Sequence, residues 1–253
     1  MLEGSCIMVL PTQLQANDSA RTFEAFVDQW FIDKEHYLQD LLGLIARNAG
    51  RDNEVDEVQC KGLIDRVIRH YGQYFEANAR IIVDNVFLVL MPTWFSSFER
   101  AYLWMGGFRP GLAYRLVINN VLDLSEEQSW RMNTLMAEIK EEEKEITDEF
   151  DKVQEVMATP TMLELLRHGG RMRNGAGHNM ELLVDQLKSA LGALAECADF
   201  LRMKTGIMLM EILKSGQSIR FLAAAMQLQL RLRRWGMMRD AEIQTNMFET
   251  RPS

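Results

Sequence analysis

The segment YLWMGGFRP, Tyr102 to Pro110, decides how this chain is read. Adjacent glycines fit two structures. In a ligand loop they let the backbone approach a bound group closely; at a helix end one of them takes positive φ and stops the helix. A phosphate loop needs a strand before the glycines and a lysine–hydroxyl pair after them. Neither is present, and Pro110 stands where it can open a new helix, its missing N–H being harmless there. The segment is therefore predicted to be a tight corner between helices. Gly106 or Gly107 takes positive φ, Trp104 and Phe108 anchor the corner in the core, and Arg109 either caps a carbonyl or pairs with Glu99 across the turn.

Helical periodicity extends outward on both sides. Phe23, Phe26, Val27, Trp30, Phe31, Tyr37, Leu38, Leu41, Leu42 and Ile45 recur three and four residues apart, with Asp18 or Ser19 as the cap and NAGRDN as the stop. A second helix is predicted over 54–79, a short buried one over 81–91 and another over 97–105. Ser125 with Gln128 forms a capping box that opens a helix reaching about Met157. Pro160 starts a short helix that ends in the glycine-rich loop HGGRMRNGAGHN. A long helix follows over 180–213, KSGQS breaks it, and a last helix runs to about Gly236. No strand pattern occurs. The expected fold is all-α: a single domain of long antiparallel helices over 18–240, with residues 1–17 and 241–253 as tails.

Composition limits the function. The chain has 253 residues, 47% hydrophobic and 25% charged, as in a globular domain. A net charge of −8 opposes direct binding to nucleic acid. Charge is uneven: Glu138–Glu155 holds nine acids and three bases, whereas Ser215–Arg239 holds five arginines and no acid. Cys6, Cys60 and Cys197 lie far apart without metal spacing, which suits a reducing compartment. No apolar run approaches the ~20 residues that span a membrane.

Catalytic and metal motifs fail on inspection. His36, His70, His168 and His178 are scattered, and no Glu-x-x-His occurs. The acids of EEEKEITDEFD, Glu141–Asp151, point around a helix and alternate with lysines, so they read as a solvated face rather than a cation site. NGAGHNM has the outline of a dinucleotide loop, but Met180 replaces its third glycine and no strand precedes it. The many methionines read as core filler, with an apolar ligand pocket as the alternative.

The motifs accumulate in one order, and that order resembles the plant delay-of-germination domain. FEAFVDQWFIDKEHYLQDLL is similar to its first helix. MPTWFSSFERAYLWMGGFRPGLAYRLV resembles its signature at Trp94, Glu99, Trp104, Gly106, Gly107 and Arg109. LSEEQSWRMNTLMAEIKEEEK and the closing segment ending in Trp235-Gly236 continue the match, so that it covers about residues 20–240. The resemblance implies an all-helical, non-enzymatic regulatory module. Stand-alone members act in seed dormancy and abscisic acid signalling through type 2C protein phosphatases. Another branch acts in pollen aperture formation. The same domain follows the basic leucine zipper (bZIP) of TGA-type transcription factors, which makes a transcriptional co-regulator that partners bZIP factors the alternative.

Haem binding is implied for the dormancy branch through a His-x-x-x-His pair, where this chain has Gln229 and Arg233. No cofactor is therefore expected, although a haem or apolar small-molecule sensor stays as a further alternative. The expected partner-binding residues are Phe26, Trp30 and Tyr37 on the first helix and Arg231, Arg233 and Arg234 near the end. Trp30→Ala is accordingly predicted to weaken phosphatase capture without unfolding the chain. Neither nucleic acid nor membrane is expected as a partner, a homo-oligomer is compatible, and the expected location is the nucleus, the cytoplasm or both.

Overall fold

The structure is a computed structural model that describes residues 11–48, 57–156, 158–160, 162–163 and 176–249. Seven helices hold most of them: α1 (Pro11–Asn48), α2 (Glu57–Leu90), α3 (Ser97–Arg100), α4 (Gly111–Asn120), α5 (Glu126–Val156), α6 (Ala176–Ile212) and α7 (Ser215–Glu249). The all-α expectation holds: among the described residues the β structure is one isolated bridge, Trp104 to Gly107. Helix α2 is central and packs against α1, α6 and α7, while α5 lies along α6. The short α3 and α4 both rest on α7.

Each long helix contributes an apolar stripe to one interior. Val27, Trp30, Phe31, Leu38 and Leu41 come from α1, and Cys60, Leu63, Ile64 and Val67 from α2. Leu201 and Leu209 of α6 and Ile219, Leu222, Met226 and Leu230 of α7 complete it. Buried apolar area at about 25 cal/mol per Å² holds the helices far more firmly than their intrinsic propensity does.

Several boundaries differ from the sequence expectation. Helix α1 begins at Pro11, upstream of the expected cap at Asp18 or Ser19 and inside the expected N-terminal tail. The short helix expected over 81–91 is the end of α2, which kinks at Asn85, whose side chain accepts the Phe87 N–H at 3.2 Å. Its Ile81, Ile82, Val86 and Val89 are buried as expected, but Val83 and Phe87 are exposed. Helix α3 stops at Arg100 rather than Met105, because the chain turns into the glycine corner. Helix α7 passes straight through Gly236 to Glu249. Glycine mid-helix usually signals a stop, costing about 1 kcal/mol against alanine. Here a Cβ on Gly236 would lie 2.8 Å from the Ser96 Cβ and 3.2 Å from the Phe98 Cβ. Gly236 thus lets α3 sit directly on the backbone of α7, and Asp240 one turn on accepts the Ser97 N–H at 2.8 Å.

The capping box at Ser125 and Gln128 forms as predicted, with reciprocal bonds of 3.0 and 3.1 Å. Gln128 does more than cap. It donates at 2.7 Å to the Ile212 carbonyl and to Gln217, tying the start of α5 to the α6–α7 corner. The glycine-rich loop with His168 and the NAGRDN stop fall largely outside the described residues.

Candidate functional site: a buried lysine in an apolar cavity

The corner at Tyr102–Pro110 is built from its glycines outward. Trp104 and Gly107 exchange backbone hydrogen bonds of 2.7 and 3.1 Å. Met105 (φ 46°) and Gly106 (φ 77°) between them both lie in the left-handed region, as in a type I′ hairpin turn. The positive φ was expected; the hairpin geometry was not. Arg202 of α6 secures the turn. Its guanidinium donates to the carbonyls of Phe108 (2.8 Å), Met105 (3.0 Å) and Trp104, and to Asp199 at 2.6 Å. Asp199 in turn accepts from Asn78 of α2 at 2.6 Å. A Cβ on Gly107 would lie 2.7 Å from the Arg202 Cζ, so the second glycine makes room for this arginine.

Arg109 pairs with Glu143 at 3.5 Å, not with Glu99 as expected. Glu99 is committed elsewhere: its carboxylate accepts the Ser96 N–H and hydroxyl at 2.9 and 2.7 Å in a capping box on α3. Glu143 is buried and accepts the Gly111 N–H at 2.6 Å, placing a negative charge at the N-terminus of α4, where exposed N–H groups favour it. Glu142 pairs with Lys204 of α6 at 2.5 Å. The acidic stretch of α5 is therefore not simply a solvated face; two of its acids hold neighbouring elements.

Between α1, α2, the corner, α6 and α7 lies a cavity of about 340 Å³. Its volume falls in the range of small-molecule sites. Phe31, Phe75, Leu116, Met210 and Phe221 give it apolar walls. Lys34, Tyr71 and Gln229 supply a polar end. Lys34 has no exposed surface. Its Nζ donates to the Gln229 Oε1 at 2.5 Å and stands 3.5 Å from the Trp30 ring centre. The Tyr71 hydroxyl donates to the same Gln229 oxygen at 3.0 Å. Among the described residues no carboxylate lies within ion-pair distance of Lys34. Burial, and then the charge of Arg233, hold the Lys34 amine well below its usual range, while Glu99 opposes them.

His70 lies behind this end, stacked on Trp30 with ring centres 4.8 Å apart. It is buried, and its Nε2 has no hydrogen-bond partner in the structure. Burial, then the Lys34 charge, bring its pKa down to about 4, with Asp33 opposing. The unfolded chain takes up this proton near pH 6.5 and the folded chain only near 4. Stability should therefore fall as pH drops through that window and level off below it, by about 3 kcal/mol in total. Denaturant titrations across the window, with His70→Phe as the control that loses this component, check the expectation.

The sequence-predicted partner residues divide into two groups. Trp30 faces the core, 6% exposed, with Nε1 donating to the His70 carbonyl at 2.9 Å. Phe26 and Tyr37 are half-buried against the same core. Arg233 is also turned inward: it stacks 4.1 Å from the Phe31 ring and binds Asp28 at 2.8 Å and the Trp94 carbonyl at 3.0 Å. Arg231 and Arg234 are exposed, with Glu35 of α1 3.6 Å from Arg234. The basic stripe of α7 thus meets acids of α1 rather than the acidic stretch of α5.

The signature tryptophans make the following contacts. Trp94 packs edge-on to Phe23 at 4.7 Å, and Trp104 donates to Thr147 at 3.1 Å with Arg109 and Arg202 each 5.5 Å from its ring. Trp235 packs on Phe98 at 4.1 Å yet stays 47% exposed. Sequence reasoning missed Lys34, Asn78, Asp199 and Arg202. A lysine on the apolar face, between Phe31 and Leu38, was the one available signal.

The two positions where the resemblance implies haem ligands do not fit that group. Gln229 is taken up by Lys34 and Tyr71, and Arg233 is a cation bound to Asp28. Neither is an ordinary ligand for haem iron.

A family model described as seed dormancy control matches residues 40–119. The chain is 31% identical over 220 residues to Protein RESPONSE TO ABA AND SALT 1 of Arabidopsis thaliana, covering 85% of this chain and 95% of that protein. Protein DOG1-like 4 of the same plant is 31% identical over 220 residues, covering 86% and 93%. Transcription factor TGA5 of Arabidopsis thaliana is 26% identical over 224 residues, but the match spans only 64% of its length.

Proposed function

Because this chain belongs to the DOG1 family of seed-dormancy proteins, we propose that it is a non-enzymatic regulator in abscisic acid signalling that acts by contact with type 2C protein phosphatases. The near end-to-end match to a relative named for its response to abscisic acid and salt carries this reading. The contact surface on this reading is the outer face of α7, where Arg231, Arg234, Trp235 and Met238 are exposed at helical spacing. Arginine and tryptophan together suit an interface hot spot. The chain works in the nucleus, the cytoplasm or both.

The double variant Arg231→Glu with Arg234→Glu tests the surface. Capture of a type 2C phosphatase by the purified chain should fall at least ~10-fold, about 1.4 kcal/mol, with an unchanged circular dichroism spectrum. Undiminished capture by the folded variant would remove this surface from the proposal. If instead the chain captures bZIP factors and no phosphatase, the co-regulator alternative, supported by the match to TGA5, takes its place.

A second reading is favoured by the cavity itself: the domain senses an apolar small molecule. The walls suit an apolar body, and the single polar end at Lys34, Tyr71 and Gln229 suits one polar group. Occupancy would act by stabilising the packing of α1 against α7, both of which line the space.

A further inference from the structure

We propose that Lys34 is a carbonyl-capturing lysine whose amine forms a reversible imine with an apolar aldehyde in the cavity. The inference rests on the second reading above, uptake of an apolar molecule, and adds to it the bond that would hold that molecule.

Position comes first. Lys34 has no exposed surface and lines the cavity, so any reagent reaches it through that space. Ile68, Leu112 and Leu228 of the lining are each more than a third exposed and mark where the cavity meets solvent. The environment comes second. The Nζ is held by a neutral amide oxygen at 2.5 Å, not by a carboxylate. An ammonium buried among apolar walls with no carboxylate in ion-pair contact is expensive, whereas the free amine is not, and the more distant Glu99 charge only partly offsets this. The Arg233 cation nearby adds to that bias. A desolvated lysine next to a second cation is the arrangement that makes an amine nucleophilic near neutral pH. The exposed lysines differ in kind: Lys61 pairs with Glu57 at 3.0 Å and Lys144 with Asp148 at 2.8 Å.

The third component is a proton donor. Tyr71 and Lys34 both donate to the Gln229 Oε1, so the phenol and the amine converge on one acceptor. Burial pushes the Tyr71 phenol up and keeps it protonated. The chemistry then balances without oxidant or reductant. The Lys34 lone pair attacks the carbonyl carbon, and the carbonyl π electrons move to oxygen, which takes a proton from the nitrogen. The nitrogen lone pair of this carbinolamine expels the hydroxyl, which leaves as water with the Tyr71 proton. The resulting iminium returns its proton to the phenolate, leaving a neutral imine. Hydrolysis reverses every step.

The test uses the full chain at pH 7 with decanal and cyanoborohydride, which fixes an imine as a stable secondary amine, followed by peptide mass spectrometry. Label is expected on Lys34 at least ~10-fold above Lys61 or Lys144, with Lys34→Met losing it and Tyr71→Phe forming it roughly 10-fold more slowly. Decanol, which cannot form an imine, reports the cavity separately by displacing Nile red. Displacement by decanol without a Lys34 adduct overturns the imine and leaves the cavity reading standing. Neither displacement nor adduct overturns both. Label spread over exposed lysines and undiminished in Lys34→Met overturns the proposal as well. Mapping is made on the native chain, so the result stands even where Lys34→Met fails to fold.

Discussion

Trp30→Ala is expected to destabilise the folded chain by about 3–5 kcal/mol, the usual range for removing a buried tryptophan. The melting temperature should fall on the order of 10 °C for a domain of this size. The ring is 6% exposed. It stacks on His70, meets Phe31 and Tyr71 edge-on at 5.3 and 5.8 Å, and donates to the His70 carbonyl at 2.9 Å. Alanine removes all four contacts and one face of the cage around the Lys34 Nζ. Urea unfolding monitored by circular dichroism measures the loss. Trp30→Phe should recover most of it, since the ring volume returns and only the indole hydrogen bond stays lost, at about 1 kcal/mol. A loss below ~1 kcal/mol for Trp30→Ala would mean that the ring does not face the core. This replaces the sequence expectation that the variant stays folded and merely binds less.

Arg202→Ala is expected to cost a similar amount, about 3–5 kcal/mol, because it breaks a buried charged network from one side. Three corner carbonyls lose the Arg202 donor, Trp104 keeping only the Gly107 N–H, and Asp199 keeps only Asn78. Burial already raises the Asp199 carboxyl despite the arginine beside it, so removing the cation isolates a charge the site barely tolerates. Arg202→Lys should recover little, since a point-charge ammonium cannot reproduce the fork that reaches Asp199 and the turn together. A double-mutant cycle with Gly107→Ala gives the sharper measurement. The added Cβ strains the native site, where it would meet the guanidinium at 2.7 Å, but finds space once Arg202 is alanine. Non-additivity of at least ~1 kcal/mol is expected, and strict additivity would show that the two residues do not touch.

What was legible in the sequence follows from local rules. The apolar spacing of Val27, Trp30, Leu38 and Leu41, the capping box at Ser125 and Gln128, and the punctuation by Pro110 and KSGQS depend on residues within a few positions of one another. They marked out the all-α fold and its order of elements, and the order of motifs pointed to the family. The same local rules misplaced the end of α7 at Gly236. Glycine usually breaks a helix, but this one is there because α3 needs the space its side chain would occupy.

Tertiary structure decided the site, because its parts come from distant stretches of chain. Lys34 and Gln229 belong to α1 and α7, and Tyr71 to α2, and no spacing rule links them. A lysine on an apolar stripe reads as an interruption until the fold shows it buried with an amide oxygen as partner. Arg202 and the carbonyls of Trp104, Met105 and Phe108 are equally remote. The sequence by itself determined that YLWMGGFRP is a corner of an all-helical domain, since backbone conformation answers to neighbouring residues. Only the packing of the helices decided what the corner rests on and where a cavity stays open, because burial, charge pairing and desolvation answer to neighbours in space.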